Sequence, residues 1–189
     1  MSRRASEDIK SSQFLYEEAL VGVVFQKPLP ATKVGDLELP ASVEGSGAKL
    51  PLWAARVLSK EGIVKLNLEE SQDLKPGELY KLSWKEERNE VLSPLPTNFY
   101  PKLRDLVDGL NRSIKENPTH TTLSEQRQAY MKAKDLINCR LQKILRLSFE
   151  RNPPKAAVEI LQPEERALFE SLRSEIEEWR EKILVEENK

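Results

Sequence analysis

The sequence predicts an α+β chain: a small β-rich N-terminal module followed by an all-α helical-bundle domain. Three observations carry that expectation. Before residue 93 the apolar residues come in short runs broken by Pro and Gly, the texture of strands and turns. After residue 97 they recur every three or four residues through long stretches, the period of amphipathic helices. Between them lies Ser93-Pro94-Leu95-Pro96, where each proline restricts its own backbone and that of the residue before it. The expected organisation is a flexible tail at 1–12, a small β-rich module at 13–92, a linker at 93–97 and a helical domain at 98–189.

Taken in order, Met1–Ser12 is polar and rich in Ser and Arg, and it lacks the apolar core of a secretory signal. A helical turn at Phe14–Ala19 leads into Leu20–Phe25, an apolar run of strand length that Pro28 and Pro30 end. Thr32–Leu39 reads as a second strand bent at Gly35-Asp36, and Gly45-Ser46-Gly47 as a flexible loop. Leu50–Leu58 reads as a helix, with Pro51 in its first turn and Gly62 past its end. Ile63–Leu68 alternates as a half-buried strand, and Leu74-Lys75-Pro76-Gly77 is a turn. Glu78–Glu90 forms a charged helix with Leu79, Leu82 and Trp84 facing inward.

The helical half opens at Asn98, read as an N-cap. Phe99, Leu103, Leu106, Leu110 and Ile114 make one stripe, which stops before Asn117-Pro118. Thr122-Leu123-Ser124-Glu125 fits a capping box for a second helix reaching about Arg151. Asn152-Pro153-Pro154 breaks it, Lys155–Leu161 forms a short connector, and a last helix opens with Pro163-Glu164-Glu165. That helix carries Leu168, Leu172, Ile176, Trp179 and Ile183 on one stripe.

The middle helix shapes the functional expectation. Ala129, Ala133, Leu136, Ile137, Leu141, Ile144, Leu145 and Leu147 fill an arc of roughly 180°, against roughly 100° for an ordinary surface helix. So wide a face needs partners on more than one side, and part of it is expected to pack on another chain. Phe99, Tyr100, Leu141, Ile144, Leu145, Leu172, Ile176 and Trp179 are the residues assigned to that subunit interface. Arg140 projects inside the apolar arc, where a guanidinium requires a carboxylate; Glu164 or Glu165 is the expected partner. Lys132, Lys143 and Arg146 lie opposite, interleaved with Asp135 and Glu150 as a solvated mixed-sign face.

Composition points away from catalysis. The 189 residues hold 30 Lys and Arg against 31 Asp and Glu, a net charge of −1, unlike the strongly basic balance of a nucleic-acid-coating protein. One histidine, His120, and one cysteine, Cys139, leave no material for a Cys/His zinc site or a histidine-based triad. A lone cysteine also fits a reducing compartment. No phosphate-binding glycine loop is present, and no apolar run reaches the ~20 residues that cross a bilayer. The chain is therefore expected to have no enzymatic activity, no cofactor and no metal site. Direct DNA binding through Arg127, Lys132, Lys134, Lys143 and Arg146 is the alternative function.

Four motifs resemble one family. Leu50-Pro51-Leu52-Trp53-Ala54-Ala55 looks like the Pro-Leu-Trp-Leu-Ala helix of the GINS replication factors. Ser93-Pro94-Leu95-Pro96-Thr97-Asn98-Phe99-Tyr100 resembles the segment entering their helical domain. Arg140 to Leu147 is similar to the Arg-x-x-Lys-Ile/Leu signature of the central helix, and Leu161-Gln162-Pro163-Glu164-Glu165 to the start of the last one. A β module (B-type) ahead of the helical domain (A-type) is the order of one GINS branch, and the Lys/Glu bias resembles an archaeal member.

The resemblance implies a non-catalytic scaffold subunit of a heterotetramer formed with the reversed-order GINS subunit. It implies contact with the MCM replicative helicase and a Cdc45 or RecJ-like protein, and with primase and DNA polymerase components. DNA contact is then at most indirect or weak, no membrane is involved, and Pro51, Leu52 and Trp53 dock the module. The implied location is cytoplasmic and nucleoid-associated in an archaeon, nuclear in a eukaryote.

Overall fold

The computed structural model describes residues 3–35, 37–66 and 73–184. It has the α+β architecture expected from the sequence: a small antiparallel sheet in the N-terminal part and a helical C-terminal region, 63% helix in all. Chain contacts divide it into two compact units, residues 13–73 and residues 1–12 with 74–189.

In the first unit, β1 (Leu20–Phe25) lies between β4 (Gly47–Pro51) and β5 (Val64–Leu66), antiparallel to both. Alternation along β1 turns Val23 and Phe25 inward and Val24 outward. They pack with Leu39, Leu50, Ala55 and Val64 as the unit's core. β2 (Thr32–Val34) and β3 (Leu37–Leu39) form a separate hairpin, so the bend expected near Gly35 reverses the chain; Asp36 lies outside the described residues. Of the strand expected at Ile63–Leu68, Asn67 and Leu68 also lie outside them.

Pro51 is not within a helical turn: it ends β4 and precedes α2 (Leu52–Lys60), so Leu50-Pro51 belongs to the strand. Gly62 closes α2 with φ +63°, its N–H donating to the Ser59 carbonyl while Ile63 N–H donates to the Leu58 carbonyl. This pair of bonds is the Schellman closure, and it needs the left-handed residue that glycine supplies without steric cost. A Cβ at position 62 would touch only Lys27 Nζ, at 3.8 Å, so the strain is in the backbone alone. Gly62→Ala is expected to lower stability by about 1 kcal/mol in denaturant titration.

The helical unit comprises α3 (Pro76–Arg88), α4 (Phe99–Glu116), α5 (His120–Phe149), α6 (Lys155–Glu159) and α7 (Pro163–Leu184). The long α5 is its axis, with α3, α4 and α7 each packed against it. Two apolar clusters divide its buried face. Ala129, Ala133 and Leu136 meet Leu74, Leu79, Phe99 and Leu103, while Ile144 and Leu147 meet Leu92, Leu161 and Phe169. Arg140 stands between the clusters, 1% exposed.

Several expectations are corrected here. Residues 3–12 are not a loose tail but the greater part of α1 (Arg3–Glu17). Pro76 opens α3 instead of making a turn, as proline does at a first helical position. Trp84 faces outward, stacked under the Arg88 guanidinium at 4.1 Å, while Ser83 and Glu86 share the inward face with Leu79. Asn98 adopts the left-handed conformation (φ 58°) and makes no side-chain cap. The capping box of α5 is Thr119 with Thr122, one turn earlier than expected, because the Thr122 hydroxyl occupies the place assigned to glutamate.

The expected boundary at 93–97 also moves. The contact boundary falls after residue 73, and Ser93–Pro96 lies within the helical unit. Leu92 is buried in one cluster and Leu95 packs on the other. Two prolines suit an extended strap as well as a linker, and here the strap lies against α5 and α7.

Candidate functional site

α5 carries two features with functional content: a buried polar cluster on one side and a bare apolar stripe on the other. The cluster centres on Arg140. Its Nε and Nη2 donate to Glu165 Oε1 and Oε2 at 2.5 and 2.8 Å, a two-point clamp. Nη1 donates to Glu86 Oε2 at 3.0 Å and to the Ser93 carbonyl at 2.7 Å. Burial pulls the guanidinium toward its neutral form, but the bonds to Glu165 and the charges of Glu165 and Glu86 more than reverse this, so it stays charged.

The remaining valences are filled from every side. Glu165 also accepts from Tyr100 OH at 2.7 Å and from Gln162 N at 3.0 Å. Glu86 accepts from Ser93 N at 3.0 Å and from Lys143 Nζ at 2.6 Å. Lys143 further donates to the backbone carbonyls of Glu86 and Val91. Gln162 Nε2 donates to the Leu95 carbonyl, and its Oε1 accepts from Phe99 N, both at 3.4 Å. One guanidinium thus ties α3, the strap, α5 and the start of α7, while Tyr100 adds α4. A buried ionic cluster contributes little net stability when complete, but removal of one partner leaves an uncompensated charge in the interior.

Of the two carboxylates expected beside Arg140, Glu165 pairs with it and Glu164 does not. Glu164 accepts from Ser12 Oγ at 2.9 Å and lies 3.6 Å from Arg104. Glu86 is the partner that sequence reasoning missed. Its signal was its position seven residues after Leu79, on the same inward face of α3. Lys143, expected on the solvated face, is instead mostly buried against Glu86.

Tyr100 supplies a pH test. Burial, with the Glu165 carboxylate beside it, pushes its hydroxyl well above the usual tyrosine range. Above about pH 10 an unfolded chain loses this proton while the folded one keeps it. The native state then binds more protons, so stability falls as pH rises. Tyr100→Phe is expected to show a shallower fall in thermal midpoint above that pH than the parent. At neutral pH it should be less stable by about 1–2 kcal/mol for the lost bond.

The residues assigned to a subunit interface divide sharply. Phe99 and Ile144, 1% and 2% exposed, are core residues, and Tyr100 serves the polar cluster. Phe99 is inside because it packs between Leu79 of α3 and Ala129, Ala133 and Leu136 of α5, and Ile144 because Leu92, Leu161 and Phe169 cover that part of the α5 arc. Leu145, Leu172 and Ile176 are half-buried, while Leu141 and Trp179 are exposed. In the other unit Pro51 and Leu52 are buried and Trp53 is half-buried.

What α5 leaves uncovered is a stripe of Leu123, Tyr130, Ile137, Leu141 and Phe149, at steps of seven, seven, four and eight. The exposed basic residues Arg127 and Lys134 lie along it. Beside it, between α4 and α5, runs a groove of about 450 Å³, walled by Leu103, Val107, Tyr130 and Ile137 with Asp108 and Lys134 on its rim. α7 leaves a second bare patch. Arg173 reaches the carbonyls of Glu150 and Arg151, and Arg180 reaches back to that of Phe149. Beyond that level α5 has ended, and the stripe that buries Phe169 continues as Trp179 and Ile183, each 63% exposed.

No family model and no curated protein matches the chain. Among the described residues no helix is long and apolar enough to cross a membrane.

Proposed function

We propose that the chain is a non-catalytic structural subunit of a GINS complex, of the branch with the β module first. One observation carries the reading. The helical unit keeps apolar side chains on two helices in water, along α5 and at the end of α7, after its own helices have packed. Patches of this kind mark surfaces that another chain covers. The four motifs in family order say which assembly to test: a heterotetramer with the reversed-order subunit. This assembly would engage the MCM helicase together with a Cdc45 or RecJ-like protein, and primase and polymerase components, in DNA replication. The Arg140 cluster suits such a scaffold, because it holds a rigid frame on which a partner's surface can be matched.

The alternative of direct DNA binding loses one of its five cations, since Lys143 is engaged by Glu86. Lys132 is also paired, with Glu87 at 3.3 Å. Co-expression with a reversed-order GINS subunit, followed by light-scattering mass determination, tests the proposal. A stable complex of two copies of each chain is the expected result. A chain that ignores every reversed-order subunit offered to it overturns the reading.

A further inference from the structure

The outward face of α3 carries a basic stripe with an indole set into it. At about 100° per residue, Lys81, Trp84, Lys85 and Arg88 fall within an arc of roughly 100°, opposite the Leu79, Ser83 and Glu86 that turn into the core. All four are exposed, Trp84 by 57%. The Arg88 guanidinium lies over the indole at 4.1 Å. No carboxylate among the described residues pairs with Lys81, Lys85 or Arg88.

The acids of this region are engaged or lie elsewhere. Glu86 is buried against Arg140 and Lys143. Glu87 accepts from Ser83 and Lys132, and with Glu90 it lines a hollow against Gln142 and Arg146 of α5. Only Glu78 approaches the stripe from α3, at its N-terminal end, one turn before Lys81. At the other end the helix carbonyls are covered, that of Lys85 by Asn89 N–H and that of Glu86 by Lys143. The stripe therefore presents three unneutralised cations over about 10 Å of helix.

We infer that this face of α3 binds single-stranded DNA. Phosphates answer the three cations, and a base stacks on the exposed indole or on the guanidinium beside it. Duplex DNA is the poorer fit, because its bases are stacked on one another and offer the ring no free face. A membrane surface is not served either: Leu79 and Leu82 pack into the core, and one indole among cations is not an apolar face. The four side chains offer donors and a π face but no acceptor that would reward a ribose 2′-hydroxyl, so deoxyribose suffices. On a chain of net charge −1 the contact is local and weak. It uses none of the α5 cations and does not depend on the GINS reading.

Fluorescence anisotropy of a labelled oligothymidylate with the full chain, across a salt series, tests it. Binding is expected, with log K falling against log salt at a slope of about −2, or roughly 0.7 for each phosphate engaged. Trp84→Ala should weaken binding about fivefold or more with the slope unchanged. Lys85→Ala should flatten the slope by about 0.7. Both positions are exposed, so circular dichroism should not change. Lys134→Glu on α5 is the control, expected to stay within about twofold of the parent. A strand of equal length without bases should bind the parent and Trp84→Ala alike. No binding at low salt, indifference to Trp84→Ala, or an equal loss from Lys134→Glu overturns the inference. Polyglutamate bound as tightly, with the same dependence on Trp84, assigns the face to an acidic protein and overturns it too. Oligouridylate bound about tenfold tighter than oligothymidylate does the same in favour of RNA. Failure to capture a reversed-order subunit counts against the GINS reading alone.

Discussion

Arg140→Ala is expected to lower the unfolding free energy of the helical unit by about 3–5 kcal/mol, read from chemical denaturation. The loss comes less from the bonds removed than from what remains. Glu165 and Glu86, 3% and 0% exposed, would stay buried with most of their charge compensation gone. Lys143 still reaches Glu86, and Tyr100 still donates to Glu165, but neither replaces the two-point clamp. Arg140→Met fills the volume and should lose less than alanine. Arg140→Met combined with Glu165→Leu should recover stability further, because the second change removes the stranded charge. Equal losses for Ala, Met and the double variant would contradict a structural role for the cluster.

Ile144→Asp should abolish cooperative unfolding of the helical unit. Ile144 is 2% exposed and packs with Leu92, Leu147, Leu161 and Phe169, so the substitution buries a carboxylate among apolar side chains, one turn from an Arg140 already committed to Glu165 and Glu86. A cost of several kcal/mol is a large share of the ~5–15 kcal/mol available to a domain. Lys132→Asp on the same helix is the control, expected within about 1 kcal/mol because only exposed ion pairs are lost. Near-ultraviolet circular dichroism and thermal scans separate the two. A folded, cooperative Ile144→Asp chain would refute the packing described for α5. Leu172, half-buried, should respond to the same change more mildly.

Periodicity made the helices legible. The stripe of Phe99, Leu103, Leu106 and Leu110 placed α4 within a residue or two, because that face of the helix packs on α5. The excess width of the α5 arc was legible too, and Ile137 and Leu141 are its uncovered edge. Sequence also placed a carboxylate beside Arg140, since a guanidinium on an apolar face demands one. It did not find Glu86, because that partner comes from 54 residues away on a helix whose charge density masked its inward face. Lys143 was misread for the same reason, as its long stem carries the ammonium around the helix edge to a partner that no local pattern reveals. Start signals were the least legible. Asn98 and Thr122 are both good caps by type, but the backbone around Asn98 turns left-handed and Thr122 serves Thr119 instead.

The strap at Ser93–Pro96 decides where this chain can be cut. A fragment beginning at Asn98, the place the prolines suggest, would lack Leu79, Glu86 and Leu92. It would leave Leu136 without Leu74 and Leu79 and Arg140 with half its counter-charge. A fragment beginning at Leu74 keeps α3 and the strap together with the helices they brace. It gives up from that unit residues 1–12, whose Ser12 hydroxyl donates to the buried Glu164, so fusion joints placed ahead of that leucine cost less than joints at Asn98.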